Sequence, residues 1–135
     1  MAIQLSTNVR NARLDAIETT VGTSAVLKIR TGAAPANCAA ADSGTVLATV
    51  NCPSDWMAAA ASGSKSMSGT WQDASADATG TAAHFRLYAS DGTTCHMQGT
   101  VTATGGGGDM TVDSTSFTAA QQFTVTSFSL TDGNA

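Results

Sequence analysis

Residues 81–102, TAAHFRLYASDGTTCHMQGTVT, carry the pattern that decides the fold class. On the first arm Phe85 and Leu87 alternate with polar side chains, as in a strand, where successive side chains point to opposite faces. Asp91 and Gly92 separate the two arms, and this pair is typical of tight hairpin turns because glycine adopts positive φ. We therefore predict a β-hairpin with one packed face and one solvated face. The predicted solvated face of the first arm carries His84, Arg86, Tyr88 and Ser90.

The composition favours one domain with an unusually uncharged surface. The chain has 135 residues, and only 12% of them are charged, about half of the share in an average domain. Few charges and many small residues suit a sheet protein that belongs to a larger assembly, because a free monomer usually keeps more charge for solubility.

Charge and hydropathy also bear on partners and location. The formal net charge is -4 and no run of Lys or Arg occurs, which argues against a nucleic-acid partner, since such binding needs a basic patch. No apolar run approaches the roughly 20 residues of a membrane span, so we expect no membrane association. The N-terminus lacks the apolar segment of a secretory signal, so we expect the product to stay or assemble in the cytoplasm.

Cysteine usage points to reduced thiols. Cys38, Cys52 and Cys95 make an odd number, and an odd number without a secretory signal favours free cysteines. The alternative is a disulfide between Cys38 and Cys52, formed when the protein meets an oxidising medium.

The N-terminal segment carries the best helix signal of the chain, over residues 6–21. Ser6 is a suitable N-cap and Gly22 a suitable stop. An apolar stripe at helical spacing follows the cap. Two interpretations remain open: the helix packs on its own sheet, or it is an arm that docks onto a neighbouring subunit. The stripe comprises Leu5, Val9, Ala12, Ala16, Ile17 and Val21.

Short strands separated by turn signals make up the rest of the chain. Residues 54–61 are either one or two helical turns or a packed loop anchored by Trp56 and Met57. In residues 122–131 the apolar phase changes, which predicts a β-bulge near Thr126 and Ser127 or a strand that changes sheets. Besides the hairpin, strands are predicted at 25–30, with Lys28 and Arg30 facing outward, and at 45–52, 66–72, 110–112 and 122–131, with loops at 31–44 and 105–108.

These elements predict an all-β fold, a jelly-roll-like β-sandwich with a short N-terminal helix or arm. Residues 1–24 form the helix or arm, and residues 25–135 form a single β-sandwich domain. Strands and helices do not alternate, which argues against a parallel α/β fold.

Residues with catalytic or ligand-binding chemistry are scattered through the chain without a recognisable motif. His84 and His96 lie on opposite arms of the hairpin, but the neighbouring Cys95 points to the other face, so we expect solvated or interface histidines and no metal site. The aspartates fall in predicted turns, and no nucleophile elbow is present. Trp56 and Trp71 suit core or interface anchors better than sugar platforms. We therefore predict no enzyme, no cofactor and no metal.

Several segments resemble small structural proteins of tailed double-stranded DNA bacteriophages. The resemblance begins with LSTNVRNARLDAIE at residues 5–18 and AVLKIRTGAAPAN at residues 25–37. It continues with Trp71, with FRLY at residues 85–88 and with TVTSFSLT at residues 124–131. It covers nearly the whole chain, and its motifs are structural.

The resemblance implies a capsid decoration or cement protein, located on the outer surface of the virion, that bridges major capsid protein subunits. We expect a homodimer, with a trimer as the second choice. The alternative is a head-fibre, tail or neck module that binds a receptor or glycan through exposed aromatic residues. The candidate contact residues are Leu5, Val9, Trp56, Met57, Arg86 and Tyr88.

Overall fold

The computed structural model describes residues 3–135, in which one helix is followed by ten short strands. The first two residues of the predicted arm 1–24 lie outside the described residues. The elements are α1 (Thr7–Val21), β1 (Val26–Arg30), β2 (Val46–Asn51), β3 (Ser64–Ser66), β4 (Gln72–Asp73), β5 (Gly80–Thr81), β6 (His84–Tyr88), β7 (Cys95–Ala103), β8 (Met110–Val112), β9 (Ser116–Phe117) and β10 (Phe123–Thr131).

Eight of these strands form one curled sheet that closes halfway around the core. The strand order is β2-β1-β6-β7-β8-β10-β3, and β4 also pairs with β10. The pairs are antiparallel except for β7 and β8, which run parallel. A separate two-stranded pair joins β5 and β9. The predicted all-β, sandwich-like class is confirmed.

The predicted hairpin lies at the centre of the sheet and supplies the core. In the β6–β7 pair Phe85 is opposite Gly99 and Leu87 is opposite Met97. The ring of Phe85 contacts Phe128 edge to face, with 5.6 Å between ring centroids. This aromatic chain continues from Phe128 to Trp71 at 5.7 Å. Such tilted contacts add to the apolar burial of each ring.

The predicted bulge in β10 is present. Val125 is opposite Val112 and Ser127 is opposite Thr111, so Thr126 is the extra residue. Because one extra residue reverses the alternation, Val125 before the bulge and Phe128 after it both point into the core.

The prediction of a solvated hairpin face is wrong. His84, Arg86 and Tyr88 are each buried. The prediction that Arg30 faces outward is wrong for the same reason. Residues 32–43, which we call the strap, cross this face of the sheet, and their carbonyl groups accept hydrogen bonds from its side chains. Sequence alternation locates two faces but does not reveal that a loop covers the polar one.

The helix has the predicted span, but only the C-terminal part of the predicted stripe, Ile17 and Val21, packs against the core. The Ser6 side chain accepts a hydrogen bond from the Val9 amide at 3.3 Å, and the Gly22 amide donates to the Glu18 carbonyl. Leu14 and Val21 are the buried apolar residues of the helix. The remaining predicted stripe is largely outside: Val9, Ala12 and Ala16 are exposed, and Ile17 is half-buried.

Of the two segments that follow β2, one agrees with a stated alternative and one does not. Residues 54–61 form the packed loop, with Trp56 and Met57 buried, and not a helix. The strand predicted at 66–72 is wrong, because β3 ends at Ser66 and β4 begins only at Gln72. Gly69 lies between them with φ +71°, a left-handed conformation that interrupts a strand.

Candidate functional site

The inner face of α1 is held to the sheet mainly by polar contacts around Lys65. The Lys65 ammonium is buried and donates to Asp15 at 2.7 Å and to the Ala58 carbonyl at 2.9 Å. It also forms an ion pair with Glu18 at 2.8 Å. Burial opposes the charged form, but hydrogen bonds to the two carboxylates outweigh it and raise the pKa of Lys65. All three ammonium donors are thereby satisfied.

Backbone groups of the loop beside β3 add further contacts to the same face. The Asp15 carboxylate accepts from the Ala60 amide at 3.0 Å, and the Asn11 side chain accepts from the Gly63 amide at 2.9 Å. The hydrogen bond from Lys65 is the main cause of the lowered pKa of Asp15. These polar partners orient the helix, which explains why Val9, Ala12 and Ala16 of the predicted stripe face away from the sheet.

The C-terminal segment is anchored to the same helix. Arg13 forms an ion pair with Asp132 at 3.1 Å, and Arg10 donates to the Asp132 carbonyl at 3.3 Å. The Leu5 amide donates to the Asn134 carbonyl at 2.6 Å. The N-terminal helix and the chain end are therefore fixed to each other.

The outer face of α1 carries an exposed stripe of small, uncharged residues. At 100° per residue, Val9, Ala12, Ala16 and Thr20 lie within about 80° of one another around the axis. All four are exposed, and Val9 retains 46% of its accessible surface. We call these four residues the exposed helix stripe. Ile3, at 79% exposure, precedes the helix and is the other large exposed hydrophobic residue among residues 3–135.

A charge network that joins the exposed Asp42 to two buried arginines fixes the strap to the hairpin. The Asp42 carboxylate accepts hydrogen bonds from Arg30 at 2.8 Å, from Tyr88 at 2.7 Å and from Arg86. Burial opposes ionisation of Asp42, but these hydrogen bonds and the two guanidinium charges lower its pKa. Burial and the hydrogen bond to Asp42 raise the pKa of Tyr88 to about 12. The network therefore stays charged at neutral pH.

The strap backbone accepts further hydrogen bonds from side chains of the hairpin. Arg86 donates to the carbonyls of Ala40 at 3.1 Å and Cys38 at 2.9 Å. Gln98 on β7 donates to the Pro35 carbonyl at 2.6 Å. A loop of small residues thus becomes an ordered second layer, because its free carbonyls satisfy buried donors.

The structure places the six predicted contact residues in two groups. Leu5 is half-buried and Val9 is exposed, so both present surface to a partner. The other four are in the interior: Trp56 donates from its indole nitrogen to the Gly22 carbonyl at 2.9 Å, and Met57 packs in the core. Arg86 and Tyr88 belong to the strap network and are buried, so they offer no side-chain surface, contrary to prediction.

Ala12, Ala16 and Thr20 were not among the predicted contact residues. The signal that separates the two faces is charge. The inward face carries Asp15 and Glu18, which pair with Lys65, whereas the exposed helix stripe carries no charged residue.

A cleft of about 560 Å³ opens between α1 and the loop at residues 54–59. Its charged lining includes Asp15, Glu18, Asp55 and Lys65. A lysine that acts as a nucleophile or base needs a lowered pKa, but the pKa of Lys65 is raised. In this cleft Lys65 is paired with both Asp15 and Glu18, so its ammonium is held in structural ion pairs and the lining keeps a net negative charge.

Aromatic and aspartate side chains have structural surroundings. All seven aromatic residues of the chain are buried. Asp91 accepts from the amides of Thr93 and Thr94 within its own turn, as predicted for a turn aspartate. The Thr94 hydroxyl and these amides lower the pKa of Asp91.

The two histidines are not neighbours across the hairpin. His84 is opposite Thr100 and its Nδ1 lies 2.7 Å from the Gly32 carbonyl, so the prediction of a solvated His84 is wrong. His96 is exposed. Within residues 3–135 no group of three potential ligands is close enough to hold a metal ion, and no helix in that range has the length and apolarity needed to span a membrane.

Comparison of the chain with protein-family models, with curated proteins and with solved structures finds no match.

Proposed function

We propose that this chain is a virion structural protein, a decoration or cement protein that binds the outer surface of a bacteriophage head and bridges major capsid protein subunits. The observation that carries the proposal is the exposed helix stripe. The side of the helix that carries Leu14, Val21 and the partners of Lys65 is anchored to the sheet, and the exposed helix stripe on the other side is available to another molecule. This arrangement corresponds to the docking arm, the second of the two interpretations of the helix pattern.

The exposed helix stripe has the shape of a docking surface. A helix of 15 residues is about 22 Å long, so the exposed helix stripe offers an extended and nearly flat surface. Its side chains are small, and small residues allow close approach of a partner backbone. An apolar surface of this kind remains hydrated in the isolated chain, and covering it contributes roughly 25 cal/mol per Å² to binding.

The partner is assigned from composition and from the sequence resemblance to phage structural proteins. The low charge of the chain suits extended contacts with neighbouring subunits, and anchoring of α1 by Arg10, Arg13 and Lys65 gives the exposed helix stripe a fixed direction. A homodimer that places two such stripes around a two-fold axis would bridge two capsid subunits, and a trimer would bridge three. In this proposal the chain assembles in the host cytoplasm, has no enzymatic role, and needs no cofactor, nucleic acid or membrane.

The alternative of a glycan-binding module is less well supported. Stacking on a sugar ring needs an exposed aromatic face, but Trp56 and Trp71 are both 0% exposed and pack against each other. The structure offers no comparable platform elsewhere, since the other aromatic side chains are buried as well.

The proposal is tested by sedimentation of the purified chain with empty heads assembled from the major capsid protein of the same phage. The wild type is expected to sediment with the heads at a fixed stoichiometry. Val9→Glu and Ala16→Glu each place a charge on the exposed helix stripe and are expected to weaken binding at least tenfold. Asn51→Glu adds the same charge at the exposed end of the edge strand β2 and is the matched control.

The free energy of unfolding of each of the three variants is expected to lie within about 0.5 kcal/mol of the wild-type value, because surface substitutions rarely change stability by more. Failure of the wild type to bind heads would refute the capsid role. Equal loss of binding in Asn51→Glu, or full binding by both stripe variants, would show that another surface makes the contact.

A further inference from the structure

The strap brings together two cysteines that are 57 positions apart in the sequence, Cys38 and Cys95. Cys95 begins β7 and is opposite Tyr88 on β6. The Tyr88 hydroxyl donates to Asp42 of the strap at 2.7 Å, so this part of the strap lies over the same pair of strands. Cys38 belongs to the strap, and its carbonyl accepts from Arg86 at 2.9 Å.

Arg86 lies near both cysteines. Its guanidinium donates to the Cys38 carbonyl at 2.9 Å, and Arg86 is two residues before Tyr88, the residue opposite Cys95. The bulge between Leu87 and Tyr88 turns Cys95 toward this buried side of the hairpin. Cys38 and Cys95 therefore both lie beside residues 86–88 of the hairpin. The strap is held in place independently by Asp42 and Gln98.

We propose that Cys38 and Cys95 are a disulfide-forming pair that locks the strap onto the hairpin when the protein meets a small-molecule disulfide. This inference is independent of the proposed function, because it rests on the strap and not on the exposed helix stripe. It differs from the alternative of a disulfide between Cys38 and Cys52. Cys52 is buried in the core, where burial raises the pKa of its thiol to about 12 and suppresses its reactivity.

The reaction is thiol–disulfide exchange in two steps. The Cys38 thiolate attacks one sulfur of glutathione disulfide, breaks its S–S bond and releases one glutathione thiolate, which takes up the proton lost by Cys38. The Cys95 thiolate then attacks the Cys38 sulfur of the mixed disulfide and releases the second glutathione. Two protein thiols are oxidised and one glutathione disulfide is reduced to two thiols. Burial and the neighbouring Cys38 raise the pKa of Cys95, so Cys38 is assigned the first attack.

The folded protein is incubated with excess glutathione disulfide, quenched with a maleimide and digested without reduction. Peptide mapping is expected to show the Cys38–Cys95 link, with one thiol per chain, Cys52, still reactive after unfolding. Because a link across a loop of this length restricts the unfolded chain, Tm is expected to rise by on the order of 10 °C. Dithiothreitol is expected to reverse the shift.

Two variants distinguish the Cys38–Cys95 disulfide from other reactions of the three thiols. Cys52→Ala is expected to keep both the link and the Tm shift, and Cys95→Ser is expected to lose both while its reduced form unfolds near the wild-type Tm. A map showing Cys38 joined to Cys52, a link between two chains, or three thiols that all remain reactive would overturn the proposal.

Discussion

Asp42→Ala tests whether one carboxylate holds the strap against the hairpin. In the wild type Asp42 accepts hydrogen bonds from Arg30, Arg86 and Tyr88. The substitution leaves two guanidinium groups, whose side chains are only 7% and 1% exposed, without their counter-charge. It also leaves the Tyr88 hydroxyl without its acceptor.

The size of the effect follows from the burial of the three partners. Removing one member of a buried ion pair costs about 3–5 kcal/mol. The Asp42 side chain is itself 40% exposed, so water reaches the site and reduces this cost. Arg86 also retains its hydrogen bonds to the Ala40 and Cys38 carbonyls. We therefore expect a loss of about 2–4 kcal/mol in the free energy of unfolding.

Equilibrium unfolding in urea, followed by tryptophan fluorescence, measures this loss because Trp56 and Trp71 are both buried in the core. With an m-value of about 2 kcal/mol per M, the midpoint falls by roughly 1–2 M. Asp55→Ala removes an exposed aspartate outside the network and is the matched control, with an expected change within about 0.5 kcal/mol. A midpoint for Asp42→Ala that coincides with that of the control would refute the role given to this carboxylate.

Three further predictions concern stability. Gly44→Ala and Gly92→Ala both place a side chain at positive φ, at +71° and +70°. Gly92→Ala is expected to lower the free energy of unfolding in urea by about 1 kcal/mol. Gly44→Ala is expected to lower it by at least about 2 kcal/mol more, because its Cβ would lie 2.0 Å from the backbone oxygen of Thr31. Trp56→Phe is expected to lower the free energy of unfolding by about 1–3 kcal/mol in the same assay, because it leaves a cavity and an unpaired carbonyl. The pKa values of Asp15 and Asp42 are lowered in the folded protein, so their ionised forms stabilise the fold above about pH 4. This stability is lost as the pH falls through the folded-state pKa values, and a series of urea midpoints at decreasing pH measures the loss.

Each of these predictions has a clear contrary result. Equal losses for the two glycine variants would mean that the carbonyl near Gly44 moves without cost. A wild-type midpoint for Trp56→Phe would mean that its hydrogen bond contributes nothing. Midpoints that stay constant from pH 7 to below pH 3 would contradict the carboxylate network.

The sequence predicted the local elements well where the pattern was strong. Phe85 and Leu87 alternate with polar residues, and they lie in the central strand as predicted. The phase change in residues 122–131 located the bulge at Thr126. Ser6 and Gly22 marked the ends of α1, because capping depends on neighbouring backbone groups alone.

The sequence could not predict which surfaces are covered by distant parts of the chain. Arg86 and Tyr88 alternate like solvated residues, but a strap more than 40 positions earlier supplies their hydrogen-bond partners. The orientation of α1 is set by Lys65, about 50 positions later. In both cases a buried charge is satisfied by long-range partners, and helical or strand periodicity carries no information about them.

The capsid role is tested most directly by cryo-EM of heads assembled with and without this chain. The account predicts regular additional density at fixed symmetry positions on the outer shell, with the exposed helix stripe of Val9, Ala12, Ala16 and Thr20 against the major capsid protein or against a second copy of the chain. Heads without additional density, or with density confined to a tail or a single vertex, would contradict it.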